Sequence, residues 1–301
     1  MKKIFILSLC LVAFLIFQNY FATATSISPL NPETQSSHPF RVAVVGFIGA
    51  STQAVESTLS DALKHDERVK LLDETQSKPA LKAFGYDGSI NLDIETAKHL
   101  GAAIGCDFFI VGKTDSATRS ERAGETHEET FIGIMVIDAR SGGLTLFDFI
   151  LEKAAKKIDA QNAALQTLSQ QVGIYLEKLI AFRRVQETSA VSESEIAEDL
   201  PATEPATEAD FKPPEFLNRV KPEFTQEADR ADLNATVEAR VVFRASGEIG
   251  EIQIIRWAGF GLEESAIRAI RQLKFKPATR NHQAINVRAL IRYNFRRINQ
   301  N

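Results

Sequence analysis

Five histidines, His38, His65, His99, His127 and His282, are the residues best suited to bind a metal or shuttle a proton, and they are scattered. Metal sites draw ligands from short, recurring spacings, which these positions lack. The chain has no Gly-x-Ser-x-Gly turn to present a nucleophile and no phosphate-cradling Gly-x-x-x-x-Gly-Lys loop. Gly101 and Gly105 read as helix packing or capping, and Ser51, after Gly46 and Gly49, as a turn and N-cap. The adjacent pairs Glu128-Glu129 and Glu263-Glu264 point different ways, as neighbours do, and so read as solvated side chains. Cys10 lies in an apolar leader, too early and behind too bulky a Leu9 for a lipoprotein acylation site. Cys106 is therefore the one thiol beyond the leader and can form no internal disulfide. In Gly105-Cys106-Asp107-Phe108-Phe109 it reads as a small buried hydrophobe. These residues argue against an enzyme and call for no cofactor and no metal.

With catalysis set aside, the question is what the elements hold out to partners. The 301 residues suggest two domains, and the net charge of −4 excludes a generally basic nucleic-acid binder. That average conceals a layout. Residues 40–185 carry 17 basic and 20 acidic groups, residues 186–211 carry eight acids and no base, and residues 213–301 carry 15 basic and 10 acidic groups. At the start, Lys2 and Lys3 precede an apolar run over residues 4–17, followed by Ala22-Thr23-Ala24. This is the pattern of a secretory signal over residues 1–24. The run is shorter than the ~20 apolar residues of a membrane span. No charge stands between Lys3 and Glu33, however, so a retained anchor is the second reading. Either way the bulk of the chain is exported to the periplasmic side.

Residues 40–185 alternate strand and helix signals. Strands are expected at 41–47, 69–72 and 108–112, helices at 51–63, 78–84 and 92–104, and a hairpin over 130–138 and 144–151 with glycines in its turn. A long helix over 159–182 carries Leu165, Leu168, Val172, Leu176 and Leu179 on one stripe. This is an α/β layered domain with an antiparallel hairpin, and the whole chain is of the α+β class. The segment Ala97-x-x-Leu100-Gly101-Ala102-Ala103-Ile104-Gly105-Cys106-Asp107, the strand end Ile110-Val111-Gly112 and the hairpin Val136-Ile137-Asp138-Ala139-Arg140-Ser141-Gly142 resemble the TolB amino-terminal domain and the related CsgG-like domains. Pore-forming members of that group build a barrel from long amphipathic hairpins. Here residues 114–129 are charged and short and supply no apolar band for a membrane. The resemblance thus implies a periplasmic interaction domain.

Residues 186–212 are acidic, twice repeat Pro-Ala-Thr-Glu, and have the composition of an extended spacer, reaching roughly 90 Å at ~3.1 Å per residue. Beyond them, residues 234–244 alternate apolar and polar, Ser246-Gly247 turns the chain, and 248–257 returns. An amphipathic helix over 262–273 and a third alternating strand over 285–296 follow, giving β-β-α-β over residues 213–298.

The motifs of this last region resemble the C-terminal domain of TonB, the energy transducer of the bacterial envelope. They are Pro222-Glu223-Phe224-Thr225-Gln226-Glu227-Ala228, the strand at 235–243, the turn at Gly247, the segment from Trp257 through Leu262 to Ala266, and Leu273-Lys274-Phe275-Lys276-Pro277-Ala278. Thr225 stands for a proline, Ala235 for a glycine and Leu273 for a tryptophan of the family pattern. Pro222, Phe224, Ala228, Gly247, Leu262, Ala266, Phe275 and Pro277 then take structural roles. The resemblance implies that the last strand is an exposed edge that pairs with an extended peptide of an outer-membrane transporter by strand addition. Val287, Ala289, Ile291, Tyr293 and Phe295 should pack on the helix, which leaves Arg288, Leu290, Arg292, Asn294 and Arg296 beside the open edge.

Such a stripe suits acidic extended partners, and the acidic spacer is a candidate competitor for it within the same chain. The partners implied are a TonB-dependent outer-membrane transporter or another envelope protein. Inner-membrane motor proteins join them if the anchor is retained, and a homo-oligomer is left open. The leader has no histidine before His38, unlike the family's anchor helix, and the spacer is short. An adaptor or scaffold without energy coupling is therefore the alternative to a transducer. Mass measurement of the mature N-terminus from a membrane fraction separates them. Cleavage after Ala24 supports the adaptor, and an intact leader supports the transducer.

Overall fold

The computed structural model describes residues 39–120, 125–188, 196–200 and 210–297, so the leader lies outside the described residues. The first half of the chain runs through β1 (Phe40–Gly49), α1 (Thr52–Lys64), β2 (Val69–Leu71), α2 (Glu74–Phe84), α3 (Ile94–Ile104), β3 (Phe108–Ser120), β4 (Thr126–Asp138), β5 (Leu144–Ala154) and α4 (Lys157–Thr188). Its five strands form one sheet in the order β2-β1-β3-β4-β5. β1 is parallel to β2 and β3, and β3, β4 and β5 are antiparallel neighbours. The period-2 alternation of β3 sorts its side chains: Phe108 and Ile110 face the layer of α1 and α4, whereas Phe109 and Val111 face the other side with α3. Apolar residues four apart on α1, Val55, Leu59 and Leu63, bury against the first face. β4 is buried from Thr130 onward on both faces, as a strand between two layers must be.

Several element ends differ from the sequence expectation. Ser51 does not cap α1 with its side chain; its backbone is left-handed (φ 60°) and its Oγ accepts a hydrogen bond from Gln161 Nε2 at 3.0 Å. α2 starts at Glu74 because the Asp73 carboxylate accepts from the Thr75 amide and so caps it earlier. β3 and β4 continue into the charged stretch as a hairpin, registered from Thr114↔Ile132 to Ser120↔Thr126. Cys106 is buried against the Gly101 carbonyl, and burial pushes its thiol up to about 12, which leaves no reactive thiolate at neutral pH.

The second half contains β6 (Glu198–Asp199), β7 (Phe211–Lys212), β8 (Glu215–Phe216), the short helix α5 (Gln226–Arg230), β9 (Ala235–Phe243), β10 (Ile249–Arg256), α6 (Leu262–Arg271), β11 (Phe275–Lys276), β12 (Ala278–Arg280), β13 (Gln283–Ile285) and β14 (Val287–Phe295). β9 is the central strand, antiparallel to β10 on one side and β14 on the other, and α6 buries Leu262, Ala266, Ala269 and Ile270 against them. The expected β-β-α-β order therefore stands, with one change. The strand expected from residue 285 begins at Val287, and β12 and β13 form a separate small hairpin before it. The acidic stretch is not only a spacer. Its residues 198–199 pair with β14, and residues 211–212 pair with β12.

The two halves share a core. The loop after β10 inserts Trp257 and Phe260, both buried, against the face of the first sheet. The Phe260 ring lies 5.0 Å from that of Phe147 and 5.9 Å from that of Phe149, centroid to centroid. Residue 133 on β4 has to be glycine for this approach: a Cβ there would stand 2.7 Å from the Phe260 ring. The Trp257 indole N–H donates to the Gly142 carbonyl at 3.0 Å. Asn91 acts as an extra strand residue. Its side-chain amide donates to the carbonyls of Thr236 (2.9 Å) and Trp257 (2.6 Å), and its Oδ1 accepts from the Thr236 amide at 2.9 Å. Arg256 adds an ion pair to Asp93 at 3.1 Å.

Phe260→Ala would remove a fully buried aromatic from this shared core. The expected cost is about 3–5 kcal/mol. Thermal unfolding followed by calorimetry should show a lower Tm, with the single transition of the native chain splitting into two.

Candidate functional site

β14 is laid down by its pairing with β9 in an unbroken register from Val287↔Phe243 to Phe295↔Ala235. That register puts Val287, Ile291, Tyr293 and Phe295 toward the core and leaves Arg288, Leu290, Arg292 and Asn294 on the opposite, outward face. The motif residues of this half hold the frame. Ala228, Leu262 and Ala266 are fully buried, and the Phe275 ring packs edge-on against that of Phe243 at 4.9 Å. Pro277 is half-buried between β11 and β12. Gly247, at φ +85°, makes the β9–β10 turn.

The outward residues do not form a bare arginine stripe. Arg292 Nε donates to Glu238 Oε1 on β9 at 2.6 Å, and Glu238, itself buried, also meets Arg256 at 3.5 Å. Asn294 Oδ1 accepts from the Thr236 hydroxyl at 2.9 Å. Arg288 pairs with Asp199 at 3.1 Å. Leu290 and Arg296 are exposed, Leu290 with 38% of its surface open. The edge expected to be open is therefore closed at one end, where β6 lies parallel to Val287 and Arg288. From Ala289 to Phe295 the outer edge of β14 has no strand beside it among the described residues.

At this second end of β14 the surface falls into a cleft of about 580 Å³. Pro222, Phe224, Tyr293 and Phe295 give it an apolar floor, the rings of Phe224 and Phe295 lying 6.5 Å apart. Arg219, Lys221 and Arg296 stand at its rim, and Arg297 is tied to Asp229 and Asp232. An apolar groove continuing an unpaired strand edge, with bases around it, can take an extended peptide that offers large side chains at alternate positions and acids between them. The Pro222–Phe224 motif was legible as structure, but its place beside the end of β14 was not. No spacing relates residue 222 to residue 295.

The other concentration of charge lies at the junction of the halves. Glu129 on β4 is buried and meets His127 (2.9 Å), Lys153 (3.2 Å), Arg230 (3.2 Å) and Arg119 (3.8 Å). Burial opposes its ionisation, yet the bonds from His127 and Lys153 and the charge of Arg230 outweigh it and hold its pKa below the usual carboxylate range. Glu263 behaves oppositely. Burial raises its pKa, against the pull of the Ala258 and Gly259 amides that it holds in place. Neither side chain is solvated, as the adjacent pairs were expected to be; both fasten the docked loop and its surroundings. Among the described residues no three His, Cys, Asp or Glu side chains come together to hold a metal, and no helix is long and apolar enough to cross a membrane.

Residues 220–296, which span α5 to β14, match the family model of the Gram-negative bacterial TonB protein C-terminal. No curated protein matches the chain. Solved structures with similarity include the hypothetical protein CT253 from Chlamydia trachomatis, 13% identical, over 47% of this chain and 98% of that one, with a TM-score of 0.34. The LpoB C-terminal domain from Salmonella enterica is 10% identical over 38% of this chain and 82% of its own, with a TM-score of 0.29. The TonB CTD from Pseudomonas aeruginosa is 16% identical over 32% and 94%, with a TM-score of 0.26. At such identities and scores these structural likenesses carry no functional argument. The family match stands by itself: the chain has a TonB-type C-terminal region, and the candidate edge lies inside it.

The depressed pKa of Glu129 fixes the sign of a pH effect. Its contribution is complete above the carboxylate range of the unfolded chain and is lost as pH falls through the lower, folded-state pKa. Denaturant midpoints measured from neutral pH downward should therefore fall in the acid range, and Glu129→Gln should flatten that fall while lowering stability at pH 7.

Proposed function

We propose that this chain is a TonB-like protein of the bacterial envelope whose C-terminal domain captures an extended peptide by strand addition along β14, and that the peptide belongs to an outer-membrane transporter or another envelope protein. The observation that carries the reading is the edge itself. Within the matched region, β14 offers backbone donors and acceptors from Ala289 to Phe295 with no strand beside them among the described residues. Strand addition to such an edge supplies affinity from the main chain and selection from alternate side-chain sites. Arg292 and Arg296 beside it, and Arg219 and Lys221 at the cleft, favour acidic partners.

In this reading the complex supports energy-coupled transport across the outer membrane, with the leader retained as an anchor to inner-membrane motor proteins. A second reading, an adaptor or scaffold without energy coupling, is favoured by the docking of Trp257 and Phe260. The peptide-binding domain is fastened to the N-terminal body and does not hang on a free tether. That body, whose motifs resemble TolB amino-terminal and CsgG-like domains, then serves as the second partner-binding surface. Enzymatic activity plays no part in either reading, and export to the periplasm is common to both.

A photo-crosslinking residue placed at Leu290 or Asn294 in the native host should join the chain to an envelope protein, and the same residue at the exposed Lys64 of α1 should not. Capture at Lys64 and none at residues 290 and 294 would sink the proposal. Collapse of the proton-motive force should alter the cross-link if the chain is a transducer and leave it unchanged if it is an adaptor.

A further inference from the structure

The stretch between the halves is acidic, poor in aromatics and twice repeats Pro-Ala-Thr-Glu, a composition with little apolar surface to bury. Yet residues 198–199 form a short strand paired with β14. The pairing is parallel, with Val287↔Glu198 and Arg288↔Asp199. The Glu198 amide donates to the Asn286 carbonyl at 3.0 Å, and the Leu200 amide donates to the Arg288 carbonyl at 2.8 Å. The Asn286 side-chain amide donates to the Ile196 carbonyl at 3.2 Å. Both acids meet a guanidinium: Glu198 that of Arg280, and Asp199 that of Arg288. Leu200 follows as an apolar anchor on the cluster of Val241, Phe243 and Val287.

From this we propose that residues 196–200 are an internal stand-in for the partner, a strand that holds one end of the β14 edge closed. The partner segment shares its chemistry: two adjacent acids followed by a large apolar residue, running parallel to β14. The inference rests on the peptide-capture reading above and adds to it the partner's chemical class and a competitor carried in the chain. A partner that uses the whole of β14 must displace this strand. One that uses only Ala289 to Phe295 would leave it in place. Because the stand-in is tethered, its effective concentration is on the order of millimolar, so a pairing too weak to persist between separate molecules holds within one chain. Its ion pairs are exposed and are screened by salt.

The test needs no knowledge of the natural partner. The probe is a labelled synthetic peptide with the sequence of residues 194–202, Ser-Glu-Ile-Ala-Glu-Asp-Leu-Pro-Ala, titrated onto the full chain at about 50 mM salt. The native chain should bind it weakly because its own copy occupies the site. The double variant Glu198→Lys with Asp199→Lys should bind it at least tenfold more tightly. Adding Arg288→Glu to that variant should abolish the gain, and 0.5 M salt should reduce it. In a second variant residues 196–200 are replaced by a Gly-Ser sequence of equal length, which removes the strand without relying on charge. It should bind the probe at least as tightly as the double variant, with faster amide exchange over residues 286–290. Equal affinities for the native chain and the Gly-Ser variant, or no binding by either variant, would overturn the proposal. The cross-linking experiment is independent of it. Capture from Leu290 or Asn294 together with equal probe affinities would retain peptide binding and discard the stand-in.

Discussion

Trp257 and Phe260 decide what kind of molecule this is. They sit on the loop after β10, and their burial against β4 and β5 joins the sheet of β9, β10 and β14 to the N-terminal body. The arrangement is demanding. Gly133 must lack a side chain for the Phe260 ring to come down, Glu263 must hold the Ala258 and Gly259 amides, and Asn91 must satisfy the backbone at Thr236 and Trp257. The Gly142 carbonyl, the Asn91 amide and the Thr225 hydroxyl each meet a polar group of the loop from a different element, so the loop is fixed from several sides. The aromatic burial is the non-directional part of this junction, and Asn91, Asp93 and Glu129 add directional bonds across it.

The position of the edge follows from this. β10 is the strand whose end is fastened, β9 is the centre, and β14 lies on the far side of β9. The nine-residue register between β14 and β9 means that a peptide added to β14 joins a sheet already anchored through β10. Force or strain applied at β14 would pass through strand pairings and then through Trp257 and Phe260 into the first sheet. A free tether would pass it to nothing but chain entropy.

Much of the fold was legible. β9 and β14 alternate because each has one face on a core, α6 shows its apolar stripe, and Asp93 and Gly105 bracket α3 as cap residues do. Three features were not legible, each for a physical reason. The hairpin arms over residues 114–129 are polar on both faces, so no hydrophobic period marks them as strand. The docking was hidden because Trp257 and Leu262 could be read as the motif of an isolated domain, and nothing in the sequence relates Phe260 to Gly133. The acidity of the spacer marked it as a competitor for the edge, but which residues pair, 198–199, was hidden because composition is an average over many residues, whereas a bound strand needs only a few. The two faces of the candidate edge strand were legible, and its register on β9 was not. Its partner at Arg288, the hold of Glu238 on Arg292 and the cleft beside Phe295 required the fold.

The charge layout then takes on a different meaning. Eight acids in the connecting stretch and a basic excess after it look like a solvated tether next to a basic domain. In the fold some of those charges are committed to one another at short range: Glu198 with Arg280 and Asp199 with Arg288. Exposed pairs of this kind contribute at most about 1 kcal/mol each, so their effect is not on whether the domain folds. What they can set is selection. On the proposal above, residues 196–200 raise the threshold for a chain that pairs along the whole of β14 and leave Ala289 to Phe295 open to one that pairs there alone. A sheet edge left exposed invites indiscriminate pairing, and on that proposal a strand of the chain's own connecting stretch covers one end of it while the rest is kept for a segment that matches it better.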